Sequence, residues 1–430
     1  MKDIHDCCDT NPGSANRFMR RNSTCAKHPV TDPAATKAKI LFVDDEPSLL
    51  RVLKMGMRGL SGHWDTFFAE SGEQALVLMK EQAFDVIVTD MRMTGINGAQ
   101  VLNHVQRLHP QTVRIIMSGY SDLRDVVSCV GLTHQFLAKP CSLEDLKNCL
   151  KKVTSVKQHL GNEKLREITG GMAHLPSLPE LYLEISDVLQ SPLSSTERIS
   201  EIATKDPALC AKLLQLANSA FFGFSRKVFS VNEAVQLLGV GIIQSLALAV
   251  PLFSAFDRKK CPDFSIEKVW EHSVATAAVG RIISVRHHAD AYVSEQAYAA
   301  GILHDIGKLI LADKLPEQYG EIIREAQTAG IPVTAMEQKH LQATHAEVGG
   351  YLLALWGLPV PLVEAVACHH NPKRCGNNGL CLAGVVHIAN ALQHDLWGRP
   401  GKIPTLVDAE YLKHIGITHE YENWRREFGE

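Results

Sequence analysis

Several features that would set the class of this chain are missing from it. No Lys/Arg-dense run occurs, and the formal net charge is −3, so the basic footprint of a nucleic-acid-binding protein is absent. No basic recognition helix is evident, and direct DNA binding is not expected. No apolar stretch is long enough to span a bilayer: the longest, Ile242 to Phe253, is interrupted by Gln244, Ser245 and Pro251. The N-terminus lacks the apolar core of a signal peptide, so the expected location is the cytoplasm, with no membrane contact. Cysteine is present but unpatterned: 11 residues, an odd number, with no repeated close spacing. Cys368, Cys375 and Cys381 come nearest to a cluster, yet their gaps are too wide for a zinc knuckle, and reduced thiols are expected.

The chain does have length. At 430 residues it exceeds what one hydrophobic core usually holds, which predicts two domains plus tails. Residues 1–37 are polar and aperiodic and read as a flexible arm. Over 38–155, short apolar runs alternate with amphipathic helical patterns. Pro47 follows Glu46 at a first-turn position, Ser71 with Gln74 makes a capping box, and Ser142 caps the last helix of the series. Five repeats of strand and helix predict a doubly wound, five-stranded parallel sheet, an α/β domain with its chemistry beyond the carboxyl ends of the strands. Residues 156–172, punctuated by Gly161 and Gly170-Gly171, read as a linker. Beyond it, over 173–395, helical periodicity dominates and an all-α domain is expected. Residues 396–430 are an amphipathic, charged C-terminal extension.

The chemistry of the first domain sits at its predicted strand ends. Ile40-Leu41-Phe42-Val43 runs into Asp44 and Asp45; Val86-Ile87-Val88-Thr89 runs into Asp90; Ser118 and Lys139-Pro140 close two further runs. Carboxylates converging on one sheet edge need a cation. Asp44, Asp45 and Asp90 can hold a hard divalent ion through oxygen. Asp90 can then attack phosphorus, giving an aspartyl phosphate, while Lys139 and the Ser118 hydroxyl contact phosphoryl oxygens. The added dianion should draw Ser118 inward and repack Phe136, which makes a switch.

These residues in this order, with the Met93-Thr94-Gly95-Ile96-Asn97-Gly98 loop, resemble the receiver domain of two-component response regulators. The resemblance implies a flavodoxin-like fold, Mg2+ held with help from the Arg92 backbone carbonyl, a cis Lys139-Pro140 peptide and a sensor histidine kinase as phosphoryl donor. The family typically has Pro where this chain has Thr94, a departure read as lying outside the chemistry.

The second domain carries dispersed histidines: His272, the pair His304-Asp305, His345, and His369-His370. Each falls in a helical pattern with an apolar opposite face. Imidazoles and a carboxylate arriving from neighbouring helices suit Fe, Mn or Zn, and a water bound there gains nucleophilicity. The set resembles the metal ligands of the HD phosphohydrolase superfamily and its cyclic-di-GMP-cleaving HD-GYP branch. Two features depart from that pattern: the expected closing aspartate is Asn390, and no Gly-Tyr-Pro segment follows the paired histidines. The fuller resemblance is to the HDOD domain, an HD-superfamily-like output module without an established catalytic activity. It rests on Leu175-Pro176-Ser177-Leu178-Pro179, Asp206-Pro207-Ala208-Leu209, Leu216-Ala217-Asn218-Ser219-Ala220, Ala234-Val235-Gln236-Leu237-Leu238-Gly239 and Thr344-His345-Ala346-Glu347-Val348-Gly349. Asn218 suits a helix-packing amide or a recognition residue equally well, whereas Asp206-Pro207 reads as a helix start.

The expected function is therefore a response regulator, phosphorylated on Asp90, that relays its state to a helical module binding a downstream protein or nucleotide ligand. Enzymatic output is not expected beyond self-phosphorylation of the receiver. The alternative is a metal-dependent phosphohydrolase acting on a nucleotide or cyclic dinucleotide under receiver control. A homodimer is compatible with either.

Overall fold

The structure is a computed structural model and describes residues 37–430 apart from 59–63, 120–125, 127–128, 160–162, 171–174, 178–183, 185–187, 189–194, 225, 241, 244–252, 256–258, 288–289, 376–378, 398–406 and 430. The arm expected over 1–37, Lys37 excepted, and motif residues Leu178 and Pro179 lie outside the described residues.

The first domain is built on β1 (Ala38–Val43), β2 (Trp64–Ala69), β3 (Val86–Asp90), β4 (Val113–Gly119) and β5 (Gln135–Lys139), all parallel in the order β2-β1-β3-β4-β5. The inner strands are mostly apolar because both sheet faces are covered, and β3 is buried along its whole length, Thr89 and Asp90 included. Helices α1 (Pro47–Met57), α2 (Gly72–Glu81), α3 (Gly98–Leu108) and α4 (Leu143–His159) do the covering. Their starts are locally encoded: Pro47 opens α1, the Ser71 hydroxyl accepts from the Gln74 amide, and Asn97 with Gln100 forms a full capping box. Strand order reverses between β1 and β3, which places the crevice between Asp44 and Asp90.

The segment expected as a linker folds in part as α5 (Glu163–Gly170), with Leu165, Ile168 and Thr169 buried. Its Gly170 packs so closely on Pro110 that a Cβ would stand 2.7 Å from that residue's carbonyl oxygen. A helical domain follows: α6 (Thr196–Ala203), α7 (Pro207–Ala217), α8 (Val231–Leu238), α9 (Ile266–Arg286), α10 (Ala291–Leu303), α11 (Ile306–Lys314), α12 (Pro316–Ala329), α13 (Val333–Leu341), α14 (His345–Leu355), α15 (Val360–Cys368), a 3-10 turn (Pro372–Cys375) and α16 (Leu382–Trp397). Two three-residue strands, β6 (Leu175–Ser177) and β7 (Phe253–Ala255), pair in parallel within it and were not expected from sequence. Helices α17 (Ala409–Ile415) and α18 (Thr418–Gly429) bury Leu412, Tyr421 and Trp424 in one cluster with Ile388 and Leu392 of α16, so the C-terminal extension is part of the core.

Two motif residues are structural. The Asp206 carboxylate caps α7, accepting from the Ala208 and Leu209 amides at 2.8 and 3.2 Å, a cap worth about 1 kcal/mol. Asn218 donates to the Leu214 and Val228 carbonyls and accepts from the Val228 amide, which settles its two readings in favour of packing.

The helical domain packs on the first domain. Phe136 of β5 and Val130 share a buried cluster with Leu213 and Leu216 of α7, and Tyr351 and Leu355 of α14 join Val153 of α4 in another. Polar contacts cross the same boundary. Gln135 donates to the Leu355 carbonyl at 2.6 Å, Gln215 to the His134 carbonyl at 3.2 Å, and Arg114 to the Gly170 carbonyl at 3.3 Å. Lys212, only 2% exposed, reaches the Val130 carbonyl and lies over the Trp356 ring, 3.7 Å from its centroid. Among the described residues, no helix is long and apolar enough to cross a membrane.

Candidate functional sites

In the first domain, Val43 pairs with Thr89 and Asp90 with Met117, so the strand ends bring Asp44, Asp90 and Ser118 to one edge. Lys139, on the far strand, crosses to them: its ammonium lies 2.8 Å from Asp44 and 2.5 Å from Asp90. The Arg92 amide donates to the other Asp90 oxygen at 3.1 Å. Burial pushes the Asp90 carboxyl up, against the pull of Lys139. Ser118 and Phe136 are both buried, and Lys139-Pro140 is cis.

Asp45 behaves differently from its neighbour. One of its oxygens accepts from both the Thr94 amide (2.8 Å) and the Thr94 hydroxyl (2.7 Å), and these bonds hold its carboxyl below the usual range. Thr94 thus bonds to one of the acids expected to hold a cation, so the departure from Pro reaches that acid; a proline there could donate neither bond. The all-oxygen donor set of Asp44, Asp45, Asp90 and the Arg92 carbonyl suits Mg2+.

Most of the second domain's histidines come from helix ends, His272 from within a helix. His304 and Asp305 form the joint between α10 and α11, His345 is the first residue of α14, and His369-His370 follow α15. His272 comes from α9 and Asn390 from α16. Close helix crossings make this possible. A Cβ on Gly307 would fall 1.8 Å from the His345 carbonyl oxygen, and one on Gly301 2.5 Å from the Ala277 Cα, which explains the glycines flanking His304-Asp305.

Asp305 is the hub. Its Oδ1 lies 3.2 Å from His345 Nε2 and 3.8 Å from His369 Nε2. Its Oδ2 lies 3.4 Å from His304 Nε2, 3.9 Å from His272 Nε2 and 2.6 Å from Lys308. Two donor groups result, His345 with His369 and His370, and His272 with His304 and Asp305, each compact enough for a cation. His370 Nε2 sits 3.0 Å from His345 Nε2, and Asn390 offers its Oδ1 to His272 at 2.9 Å. The structure thus brings together every histidine, the aspartate and the asparagine singled out from sequence.

The outer nitrogens fix the tautomers. His304 Nδ1 faces the Gly301 carbonyl at 2.7 Å and His369 Nδ1 the Val366 carbonyl at 2.8 Å. A carbonyl only accepts, so both Nδ1 atoms carry the proton and both Nε2 atoms point lone pairs inward. His345 Nδ1 faces the Glu337 carboxylate at 2.8 Å. Sequence reading missed Glu337: fully buried, it also accepts from the His345 amide and the Tyr319 hydroxyl. Burial pushes Glu337 up, but His345 outweighs it and holds the carboxyl low; burial pushes His345 down, but Glu337 raises it. For Asp305, too, burial is opposed and outweighed, here by His304 and Lys308, leaving the carboxyl well below its usual range. The inward atoms His304 Nε2, His369 Nε2 and Asp305 Oδ1 are buried without hydrogen-bond partners. Lone pairs converging on a buried carboxylate form a donor set whose imidazoles and carboxylate would fit Fe, Mn or Zn.

Sequence comparison divides the chain along the same lines. Residues 40–151 match the response regulator receiver domain family and residues 175–372 the HDOD domain family. An uncharacterized protein of Treponema pallidum is 26% identical over 220 residues, covering 50% of this chain and 41% of that one. The transcriptional regulatory protein ZraR of Escherichia coli K12 is 29% identical over 157 residues, 35% of each chain. The chain spans less than half the length of these curated relatives. Among solved structures, the MmoQ response regulator of Methylococcus capsulatus matches with a TM-score of 0.46 at 26% identity, covering 60% of this chain and 98% of that one.

Proposed function

We propose that this chain, whose residues 40–151 match the receiver family and 175–372 the HDOD family, is a response regulator in which a sensor histidine kinase phosphorylates Asp90 and the receiver passes the change to the histidine centre through α14. The attacking oxygen belongs to Asp90, already drawn towards Lys139. Asp44, Asp45 and the Arg92 carbonyl would hold Mg2+, which neutralises the acids and the incoming phosphoryl group. Lys139 then leaves its bond with Asp90 for a phosphoryl oxygen, and Ser118 follows.

The observation that carries the relay is the span of α14. Its first residue, His345, lies against Asp305, and its last, Leu355, accepts from Gln135, the neighbour of Phe136 on β5. Repacking of Phe136 therefore bears on a helix about 16 Å long whose other end is a donor of the centre. With acetyl phosphate and Mg2+, one phosphoryl group per chain is expected, and Asp90→Asn should take up none. Labelling that survived this change would place the acceptor elsewhere.

The preset tautomers favour a second reading, in which the HDOD domain binds one or two transition-metal ions and acts as a phosphohydrolase. A bound cation would supply Lewis-acid activation of water or of a phosphate oxygen. Asp305 and the inward Nε2 atoms would hold the ion, and Asn390, 2.9 Å from His272, would offer a neutral, weaker donor than a carboxylate. The metal content of the full chain, purified anaerobically without chelator beside His304→Ala/Asp305→Ala, separates the readings. Metal present only in the parent supports the centre; a metal-free, folded parent leaves a binding module.

A further inference from the structure

The HDOD match ends at residue 372, and the residues that grip the turn after His369-His370 lie beyond it. His387 stands on α16, one turn before Asn390, and is 3% exposed. Its Nδ1 lies 2.7 Å from the His369 carbonyl, and its Nε2 lies 2.9 Å from the Asp408 amide. The carbonyl only accepts and the amide only donates, so the ring proton sits on Nδ1 and both nitrogens are engaged.

Asp408 joins this bridge to the C-terminal helices. Its amide holds His387, its Oδ1 caps α17 by accepting from the Tyr411 amide at 2.9 Å, and its Oδ2 takes the Lys373 ammonium at 2.9 Å. Lys373 reaches Glu410 as well, also at 2.9 Å. Tyr411 seats α17 on α16 so closely that a Cβ on Gly384 would fall 2.0 Å from its hydroxyl oxygen. Arg286, at the end of the helix that carries His272, pairs with Glu427 of α18.

We infer that the C-terminal helices are a strap on the paired-histidine turn, and that His387 is the positioning residue through which the strap acts. The buried bridge carries most of the effect. The Lys373 ion pairs add little, because that side chain is 40% exposed, whereas a buried donor or acceptor left unpaired is costly. The strap is a second input to the centre, separate from the proposed route through α14. The two inputs meet at the turn itself: Arg374 pairs with Glu347 at 3.1 Å, and Glu347 accepts from the Thr344 amide at the α14 start that presents His345. The strap stands whether or not the centre holds a metal, since it grips the His369 backbone and not its ring.

The test uses the full chain, treated with chelator and labelled with 15N-histidine, beside amide exchange. The His387 ring, identified by the signals lost in His387→Gln, is expected as its Nδ1–H tautomer. In the parent, the Asn371 and Arg374 amides close the turn on the Cys368 and Asn371 carbonyls, at 2.8 and 3.1 Å. In His387→Phe, which loses both ring bonds, these two amides should exchange about five- to tenfold faster, with His387→Gln falling between. The Val348 amide of α14 should keep its parent rate. Lys373→Met, at an exposed position, should speed the turn amides about twofold. An Nε2–H tautomer at His387 would break the link to Asp408 and overturn the strap. Parent rates at the turn in His387→Phe would refute it too, as would acceleration shared equally by Val348, which makes His387 a packing residue. Should His387→Phe not fold, Lys373→Met decides: parent rates there refute the strap.

Discussion

The Thr94 amide and hydroxyl both donate to one oxygen of Asp45, at 2.8 and 2.7 Å. Any cation that recruits this oxygen must compete with two hydrogen bonds to a charged acceptor. Thr94→Pro removes both donors and should tighten Mg2+ binding about three- to tenfold, with Thr94→Ala, which keeps the amide, falling between. Calorimetric titration of Mg2+ checks this; unchanged or weaker binding in the proline variant would show that Thr94 presents Asp45 rather than restrains it.

Lys212 is an ammonium buried at the boundary between the domains without a carboxylate. Burial, with Arg114 nearby, brings its pKa down to about 7. The folded protein therefore releases this proton near pH 7, whereas the unfolded chain keeps it to the ordinary lysine value. Between those limits the unfolded state binds more protons, so stability should rise as pH increases from about 7 towards 10. Lys212→Met should flatten that slope and raise the melting temperature at pH 7. A parent melting curve independent of pH over this range would show that the amine stays charged in the fold.

Glu337 orients His345 from outside the centre. Replacing it with glutamine keeps the shape and removes the charge that holds the ring. If the centre binds metal, Glu337→Gln should weaken Mn2+ or Co2+ binding about 10- to 100-fold, and Tyr319→Phe less, with circular dichroism unchanged. Equal affinity in parent and Glu337→Gln would make the carboxylate a packing feature only.

Gly307 marks where α11 crosses the start of α14. Gly307→Ala must push the helices apart, at a cost of about 1–3 kcal/mol in urea unfolding. Gly379→Ala, where a Cβ meets nothing within 4 Å, should stay within about 0.5 kcal/mol. A near-neutral Gly307→Ala would mean that the crossing relaxes freely.

Much of this was legible in the chain because chemistry and local pattern coincide. Asp44, Asp90, Ser118 and Lys139 each end an apolar run, so strand recognition and site recognition were one step. The histidines were legible by type, being polar groups on otherwise apolar helices. Glu337 was not, since a lone glutamate beside Gln338 and Lys339 reads as a solvated face; only the tertiary fold turns it inward onto His345. Strands β6 and β7 are three residues each, too short for period-two alternation to register. The contact of Thr94 with Asp45 was not legible because the two lie 49 positions apart, and only the fold brings the Thr94 amide and hydroxyl onto that carboxylate.

Receivers are often thought of as interchangeable cassettes. The bond from Gln135 to Leu355 argues otherwise here. A transplanted receiver would have to bring a donor at that spot on its last strand, and a surface able to accept Lys212, or the relay proposed through α14 would lose its contact. Chimeras of this chain are thus constrained less by where the linker is cut than by which two residues meet across the seam.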